Sequence, residues 1–416
     1  MRKRLFFTMF LSGAWVMGTF LKPAMTQEAA AVTETTAMTE SIPWNVDNLM
    51  VAPSIHPAAG YSDPEAHAMF VDGLPWKGKP TRFFAWYGVP NTEAGKKVPA
   101  MVLVHGGGGT AHLRWVKQWL ARGYAAIAID TNGGMPPAEG IEPIPNPQGG
   151  PKGSDHCFLQ LDDPIQDQWA YHGVANILLA HSFLRSLPNV DADRTGISGI
   201  SWGGYLTCIA IGVDSRFKFA IPVYGCGYLA VDSGWARNFE DMGSERKARW
   251  ERYWDPARYL PAAKMPILWL NGDMDGAFSL KITRMSFLLP RGERYLSIQP
   301  NMSHSHEAGE APPEIPVFAE QILHVGRPLA RCESQGVESE QAWARFVDVG
   351  QAREVRCAYT VDTGRWMGRK WTTAIATWDA ATGRAEYHLP KNATAFYFVL
   401  TDDRGLMSSS EPVDLH

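Results

Sequence analysis

The stretch Gly199-Ile200-Ser201-Trp202-Gly203-Gly204 constrains this chain more than any other. Arg194 to Ile200 reads as a short strand and Tyr205 to Ile211 as a helix, so the serine falls on the turn between them. Such a turn lifts a hydroxyl clear of a sheet, and a side chain at either flanking glycine would strike a neighbouring element. The N–H of Trp202 opens the helix, where unbonded amides favour negative charge, so it is a candidate donor to a developing oxyanion. Ser201 is the candidate nucleophile. A G-x-S-x-G pattern in a chain with 39 glycines is weak alone, and its setting and downstream partners carry the reading.

The segments around it alternate between strand and helix patterns. Thr81 to Pro90 is aromatic-rich and ends in turn residues, a strand signal. Val98 to His105 is a continuous apolar run that suits a parallel strand buried on both faces. It leads into Gly106-Gly107-Gly108-Gly109. With no G-K-[ST] and no dinucleotide fingerprint, this tract is read as the second half of an oxyanion hole, with Gly107 or Gly108 donating. His105 is read as a structural residue that holds the loop. A helix over Leu113–Arg122 and a strand over Tyr124–Asp130 imply a right-handed parallel crossover. Residues 131–165 have many Gly and Pro and no period, as an active-site rim has. Helical periodicity returns over Trp169–Leu187, where His172 and His181 read as surface or satisfied packing residues.

Past the nucleophile, Phe217–Tyr224 reads as the next strand, and 226–264, which holds Trp235, Trp250 and Trp254, as a helical insertion. The strand Pro266–Asn271 ends in Gly272-Asp273-Met274-Asp275-Gly276, and Tyr295–Ile298 leads into Ser303-His304-Ser305-His306. An acid in the first loop can orient a histidine, and a histidine in the second can reach the serine. From about 330 onward short alternating runs separated by turns predict a small all-β sandwich.

The first residues are set apart from the fold. Met1-Arg2-Lys3-Arg4 is basic, Leu5 to Leu21 is mostly apolar and small residues follow, which reads as a secretory signal peptide over 1–30, with an uncleaved anchor as the alternative. A leader spans 31–43, a catalytic domain 44–329 and a β-rich accessory domain 330–416. No later run is long enough to span a bilayer. Five cysteines in an exported chain permit disulfides, and the sequence predicts one between Cys332 and Cys357, with Cys208 and Cys226 reduced. No ligand spacing for a metal is present, and no metal or organic cofactor is expected. The net charge of −4 without a basic run argues against nucleic acid. The 16 Trp are mostly for packing, with a flat sugar-binding surface as the other reading.

His105-Gly106-Gly107-Gly108, the Ser201 turn, Gly272-Asp273-Met274-Asp275 and Ser303-His304 together resemble the α/β-hydrolase superfamily, in its acetyl xylan esterase, dienelactone hydrolase and prolyl-oligopeptidase-like branch. The resemblance covers roughly residues 80–326 and implies a mostly parallel, doubly wound sheet with the order Ser…Asp…His. It places the acid at Asp275 rather than Asp273 and the base at His304 ahead of His306. The tail looks like an accessory domain of some secreted bacterial esterases. Trp202 departs from the acetyl xylan esterases, where glutamine is common, and is nearer the peptidase pattern. The resemblance implies a serine hydrolase of short-acyl esters, with a small-molecule or carbohydrate ester as substrate, and the signal-peptide pattern makes it secreted or periplasmic. A peptidase is the first alternative, although the roughly fifty mature residues expected ahead of the first hydrolase strand leave no room for a propeller. A non-catalytic carbohydrate-binding protein is the second.

Overall fold

The computed structural model describes residues 42–93, 95–137, 142–323 and 326–415, which form one compact unit. The expected signal peptide and nearly all of the leader lie outside the described residues. Among the described residues no helix is long and apolar enough to cross a membrane.

The large sheet begins with β1 (Ile55–Pro57), β2 (His67–Asp72), β3 (Arg82–Gly88), β4 (Val98–Val104) and β5 (Ala125–Ile129). A small hairpin, β6 (Gly134–Met135) with β7 (Ile144–Pro145), stands apart from it. The sheet continues with β8 (Val190–Ile200), β9 (Phe219–Val223), β10 (Ile267–Gly272) and β11 (Arg294–Gln299). Its order is β1-β2-β3-β5-β4-β8-β9-β10-β11. The first three strands are an antiparallel edge. The strands from β5 to β11 run parallel. β4 and β5 are buried at every residue, as unbroken Val-Pro-Ala-Met-Val-Leu-Val and Ala-Ala-Ile-Ala-Ile runs require when helices cover both faces.

The helices are α1 (Val46–Leu49), α2 (Leu113–Leu120), α3 (Trp169–Ser186), α4 (Trp202–Val213), α5 (Leu229–Asp232), α6 (Ala236–Asp241), α7 (Ser244–Tyr253), α8 (Leu280–Phe287), α9 (His306–Glu310) and α10 (Glu314–Leu323). The chain runs from β4 through α2 to β5 on one side of β4, then through α3 to β8 on the other. The loops after β4 and β8 therefore leave the sheet where its order reverses, the place where a crevice opens in such sheets. α3 is buried on nearly every side, because it lies under α4 as well as against the sheet. His172 and His181 are consequently interior, not surface, residues.

The C-terminal strands are β12 (Arg331–Glu338), β13 (Gln341–Val347), β14 (Ala352–Thr360), β15 (Thr372–Ile375), β16 (Thr377–Asp379), β17 (Arg384–His388), β18 (Ala395–Asp402), β19 (Met407–Ser409) and β20 (Val413–Asp414). They make two antiparallel sheets, β12-β13-β17-β16 and β15-β14-β18-β19 with β20 also on β18. Ala344, Phe346, Val355, Cys357, Phe396 and Phe398 fill the space between them. The opposite face of β18, with Tyr397 and Val399, joins the hydrophobic core of the large sheet. The N–H of Ile298, on the edge strand β11, donates to Ser409 Oγ at 2.9 Å.

The predicted Cys332–Cys357 disulfide is not formed; all five cysteines are free thiols. Cys332 lies on the four-stranded sheet opposite Phe346, and Cys357 on the five-stranded sheet opposite Phe398. A side chain and its cross-strand partner share a face, so each thiol has a phenylalanine beside it in the packing between the sheets. A bridge needs Cα atoms within about 7 Å.

Candidate active site

Ser201 sits between β8 and α4 with φ 57° and ψ −120°. For a non-glycine residue this backbone is strained, and close packing maintains it. A Cβ on Gly199 would lie 2.2 Å from Gly203 O, and one on Gly203 would lie 2.1 Å from Val104 O. The two glycines of the motif are thus the price of bringing β8, α4 and β4 together at one point.

The structure brings together the three residues singled out from the sequence. Ser201 Oγ donates to His304 Nε2 at 2.9 Å, and His304 Nδ1 donates to Asp275 Oδ2 at 2.6 Å. Asp275 is buried, and its Oδ1 accepts from the N–H groups of Ala277 and Phe278 at 2.8 and 2.7 Å. The carboxylate is therefore fixed from its own loop while its other oxygen faces the imidazole. Phe278 lies parallel to the His304 ring at 6.2 Å, and Tyr224 covers it at 4.4 Å. Tyr224 Oη also donates to Ser305 O, which ties down the histidine loop.

The alternatives on the same loops have other partners. Asp273 accepts from the N–H of Asn301 at 2.8 Å, a loop cap. His306 Nδ1 donates to Glu310 Oε1 at 2.5 Å, and its ring packs on His112 and Trp115. Burial disfavours the Glu310 charge, but His306 and Arg114 outweigh it and keep its carboxyl below the usual range. Burial also pushes His112 down to about 4, helped by the neighbouring His306.

The glycine loop lies across from the nucleophile. A Cβ on Gly106 would stand 3.3 Å from Ser201 Cβ, and one on Gly107 only 2.5 Å from both Trp202 Cδ1 and Ser154 Oγ. Gly107 O accepts from Asn132 Nδ2 at 2.7 Å, and in a trans peptide this turns the Gly108 N–H the opposite way. His105 holds the loop, as read from the sequence: Nδ1 donates to Gly106 O at 2.6 Å, and Nε2 accepts from the N–H of Thr131 at 3.0 Å. Complete burial drives its pKa down to about 3, so the imidazole stays neutral.

A cleft of about 910 Å³ opens above Ser201 and His304. The 131–165 segment contributes Pro136, Glu142 and Asp155 to its wall, and the 226–264 segment contributes Trp235. Trp250 and Trp254 do not reach it. Both are about 99% buried, Trp254 donating from Nε1 to Gln168 at 2.6 Å. Trp86 and Tyr61 supply aromatic wall that sequence reading missed. Trp86 sits in a strand run that reads as core, and Tyr61 carries no local signal. Asn132, three residues past the end of β5, was equally unmarked.

Residues 144–311 match the prolyl oligopeptidase family, Peptidase_S9. An uncharacterized peptidase, YuxL, of Bacillus subtilis (strain 168) is 25% identical over 227 residues, which cover 50% of this chain and 31% of that protein. The chain thus spans about a third of the length of this curated relative. Among solved structures, an acetyl xylan esterase from Paenibacillus sp. R4 superposes with a TM-score of 0.51 at 22% identity, over 67% of this chain and 92% of that one. Acetyl xylan esterase 1 from Thermoanaerobacterium sp. JW/SL YS485 gives 0.51 at 17% identity, over 68% and 93%. The superposed structures show that this chain has the α/β-hydrolase fold, and the prolyl oligopeptidase match spans the segment that holds Ser201, Asp275 and His304.

Proposed function

We propose that the chain is an exported carboxylic-ester hydrolase that removes short acyl groups, acetyl foremost, from a carbohydrate or similar polyol. The observation that carries this reading is the unbroken Ser201–His304–Asp275 relay at the floor of an open cleft. Ser201 Oγ attacks the acyl carbonyl as its proton passes to His304 Nε2. The imidazolium, held by Asp275, then protonates the departing alcohol oxygen. Water attacks the acyl-enzyme, gives its proton to His304 and releases the acid, and the same proton returns to Ser201. The N–H of Trp202, with that of Gly107 or Gly108, holds the oxyanion, and loss of one such donor costs about 10²–10³ in rate.

Three features support the ester and the polyol. The N-terminal pattern directs the protein to substrates outside the cytoplasm. Tyr61 and Trp235, with the edge of the buried Trp86, put aromatic side chains on the cleft wall, a residue type that packs well on sugar rings. The two superposed esterases, named for acetyl xylan, are matched over 92% and 93% of their length. The prolyl oligopeptidase match favours a second reading, an aminoacyl peptidase using the same relay on an amide. A panel of acyl esters and aminoacyl amides separates the two. Acetyl esters are expected to exceed octanoyl esters and aminoacyl amides by at least about tenfold in kcat/KM. A preference for Pro- or Ala-linked amides overturns the esterase reading in favour of the peptidase.

A further inference from the structure

The C-terminal β-region reaches the back of the acid loop through one buried carboxylate. Asp232, the last residue of α5, is 2% exposed. Its Oδ1 accepts from Arg365 Nε at 3.0 Å, and its Oδ2 from the N–H groups of Trp366 and Met367 at 3.0 and 3.2 Å. Arg365 also donates from Nη2 to Ser233 O at 2.9 Å. These donors lie in the connection between β14 and β15. Trp366 is buried in the core of the large sheet, beside Trp371, which packs in turn on Tyr397.

From Asp232 the contact continues to the relay without a gap. Ser233 forms an antiparallel bridge with Phe278, and the N–H of Gly234 donates to Ala277 O at 2.8 Å. Ala277 and Phe278 are the two residues whose N–H groups hold Asp275. Next to Gly234, Trp235 packs on Phe278 at 5.3 Å and on Trp202 at 4.6 Å. The outer side of the acid loop has little packing of its own: Met274 is 52% exposed, and a Cβ on Gly276 would meet nothing within 4 Å. A buried carboxylate is costly unless its oxygens are paired. Among the described residues, the partners of both its oxygens lie in the C-terminal region.

We propose that Asp232 and Arg365 are positioning residues: the C-terminal region, clamped on Asp232, holds the 233–234 segment against 277–278 and thereby keeps Asp275 in line with His304. The region then belongs to the catalytic apparatus and is not a detachable accessory. This rests on the serine-hydrolase reading of the relay. The test uses Asp232→Asn and Arg365→Met in the full chain. Four quantities are measured: the rate at which a fluorophosphonate labels Ser201, kcat and KM for a chromogenic acetate ester, and the thermal melt. Displacing a catalytic group by a fraction of an ångström is expected to lower labelling and kcat by about tenfold, with KM within about twofold. Asp232→Asn is expected to lose more than Arg365→Met. Folded variants that label at the wild-type rate overturn the proposal, as does a loss no larger than the unfolded fraction read from the melt. If Asp232→Asn does not fold, Arg365→Met decides, since that side chain is 57% exposed. A wild-type protein labelled no faster than Ser201→Ala shows a different failure, that of the nucleophile assignment itself.

Discussion

Strand β8 carries two acid–histidine–hydroxyl chains of nearly the same dimensions. At its C-terminal end Ser201, His304 and Asp275 are joined at 2.9 and 2.6 Å. Within the strand Thr195 Oγ1 donates to His181 Nε2 at 2.8 Å, and His181 Nδ1 donates to Asp214 Oδ2 at 2.7 Å. The second chain is wholly buried, with Phe217 stacked on the imidazole at 3.8 Å. Burial opposes the Asp214 charge, but Arg216 and His181 outweigh it and hold the carboxyl far below its usual range. The hydrogen bonds do not separate a reactive relay from a structural one. Access does, together with the backbone. Ser201 leaves the strand at φ 57° and lines the cleft, whereas Thr195 stays in the ladder opposite Ala100.

The largest effect expected to test this contrast is on activity. Ser201→Ala should lose about 10⁶ in kcat, and Thr195→Val should stay within about twofold of wild type. Within the reactive end, His304→Ala should be inactive while His306→Ala keeps at least about a tenth of the activity, since a residue outside the relay does not transfer the proton. Ester hydrolysis and fluorophosphonate labelling measure both pairs. A Thr195→Val enzyme as dead as Ser201→Ala would erase the distinction, and the reverse order of the two histidines would move the base.

Stability should show the opposite order. Removing one partner of a buried charge pair costs about 3–5 kcal/mol, so Asp214→Asn should lower the denaturant midpoint sharply and leave kcat of the remaining folded enzyme intact. Asp275→Asn should do the reverse, with a drop of about 10⁴ in kcat from the wrong tautomer and little change in the midpoint. Chemical denaturation beside activity assays reads both. Comparable stability losses in the two variants would mean that the reactive pair is structural as well.

The smallest expected effect is on pH dependence. Burial depresses His181 to about 4 from 6.5, although Asp214 opposes the shift. The unfolded chain therefore binds the extra proton first. The stability from this group is complete above about 6.5 and is lost as pH falls towards 4. Between pH 7 and 5 wild type should lose on the order of 2 kcal/mol more than His181→Gln. Asp130 and Asp255, which burial raises to about 6, push the other way in both proteins and cancel in the difference. Parallel pH profiles of the two would show that His181 is not held neutral.

The elbow, the glycine tract and the two loops that end in Asp275 and His304 were legible because each is local. Glycine where a Cβ cannot fit, or a polar residue just past an unbroken apolar strand, leaves its mark within a few residues. The apolar runs of β4 and β5 with a helix pattern between them gave one parallel crossover; the wider parallel sheet came from the resemblance, and its strand order only from the structure. His172 and His181 were read as surface or satisfied packing residues, and the structure selects the second; the sequence left the choice open because a helical period does not tell how many faces a helix buries. The Cys332–Cys357 bridge failed because cysteine number and spacing carry no information on which sheet each strand joins, or on the phenylalanines beside them.

From the sequence alone came the buried strands, the serine turn, and the two loops that could bring an acid and a histidine to it; the resemblance then chose Asp275 and His304 within those loops. The strands and the turn are dictated by steric limits and burial patterns acting over a few residues. Only the tertiary structure decided that Asp273 is a loop cap, that Trp250 and Trp254 are interior while Trp86 and Trp235 face the cleft, and that Asp232 is held by Arg365, Trp366 and Met367 from the far end of the chain. Each depends on which segment arrives opposite. A carboxylate 133 residues from its partner reads as any surface acid until the fold removes it from water and sets those donors against it.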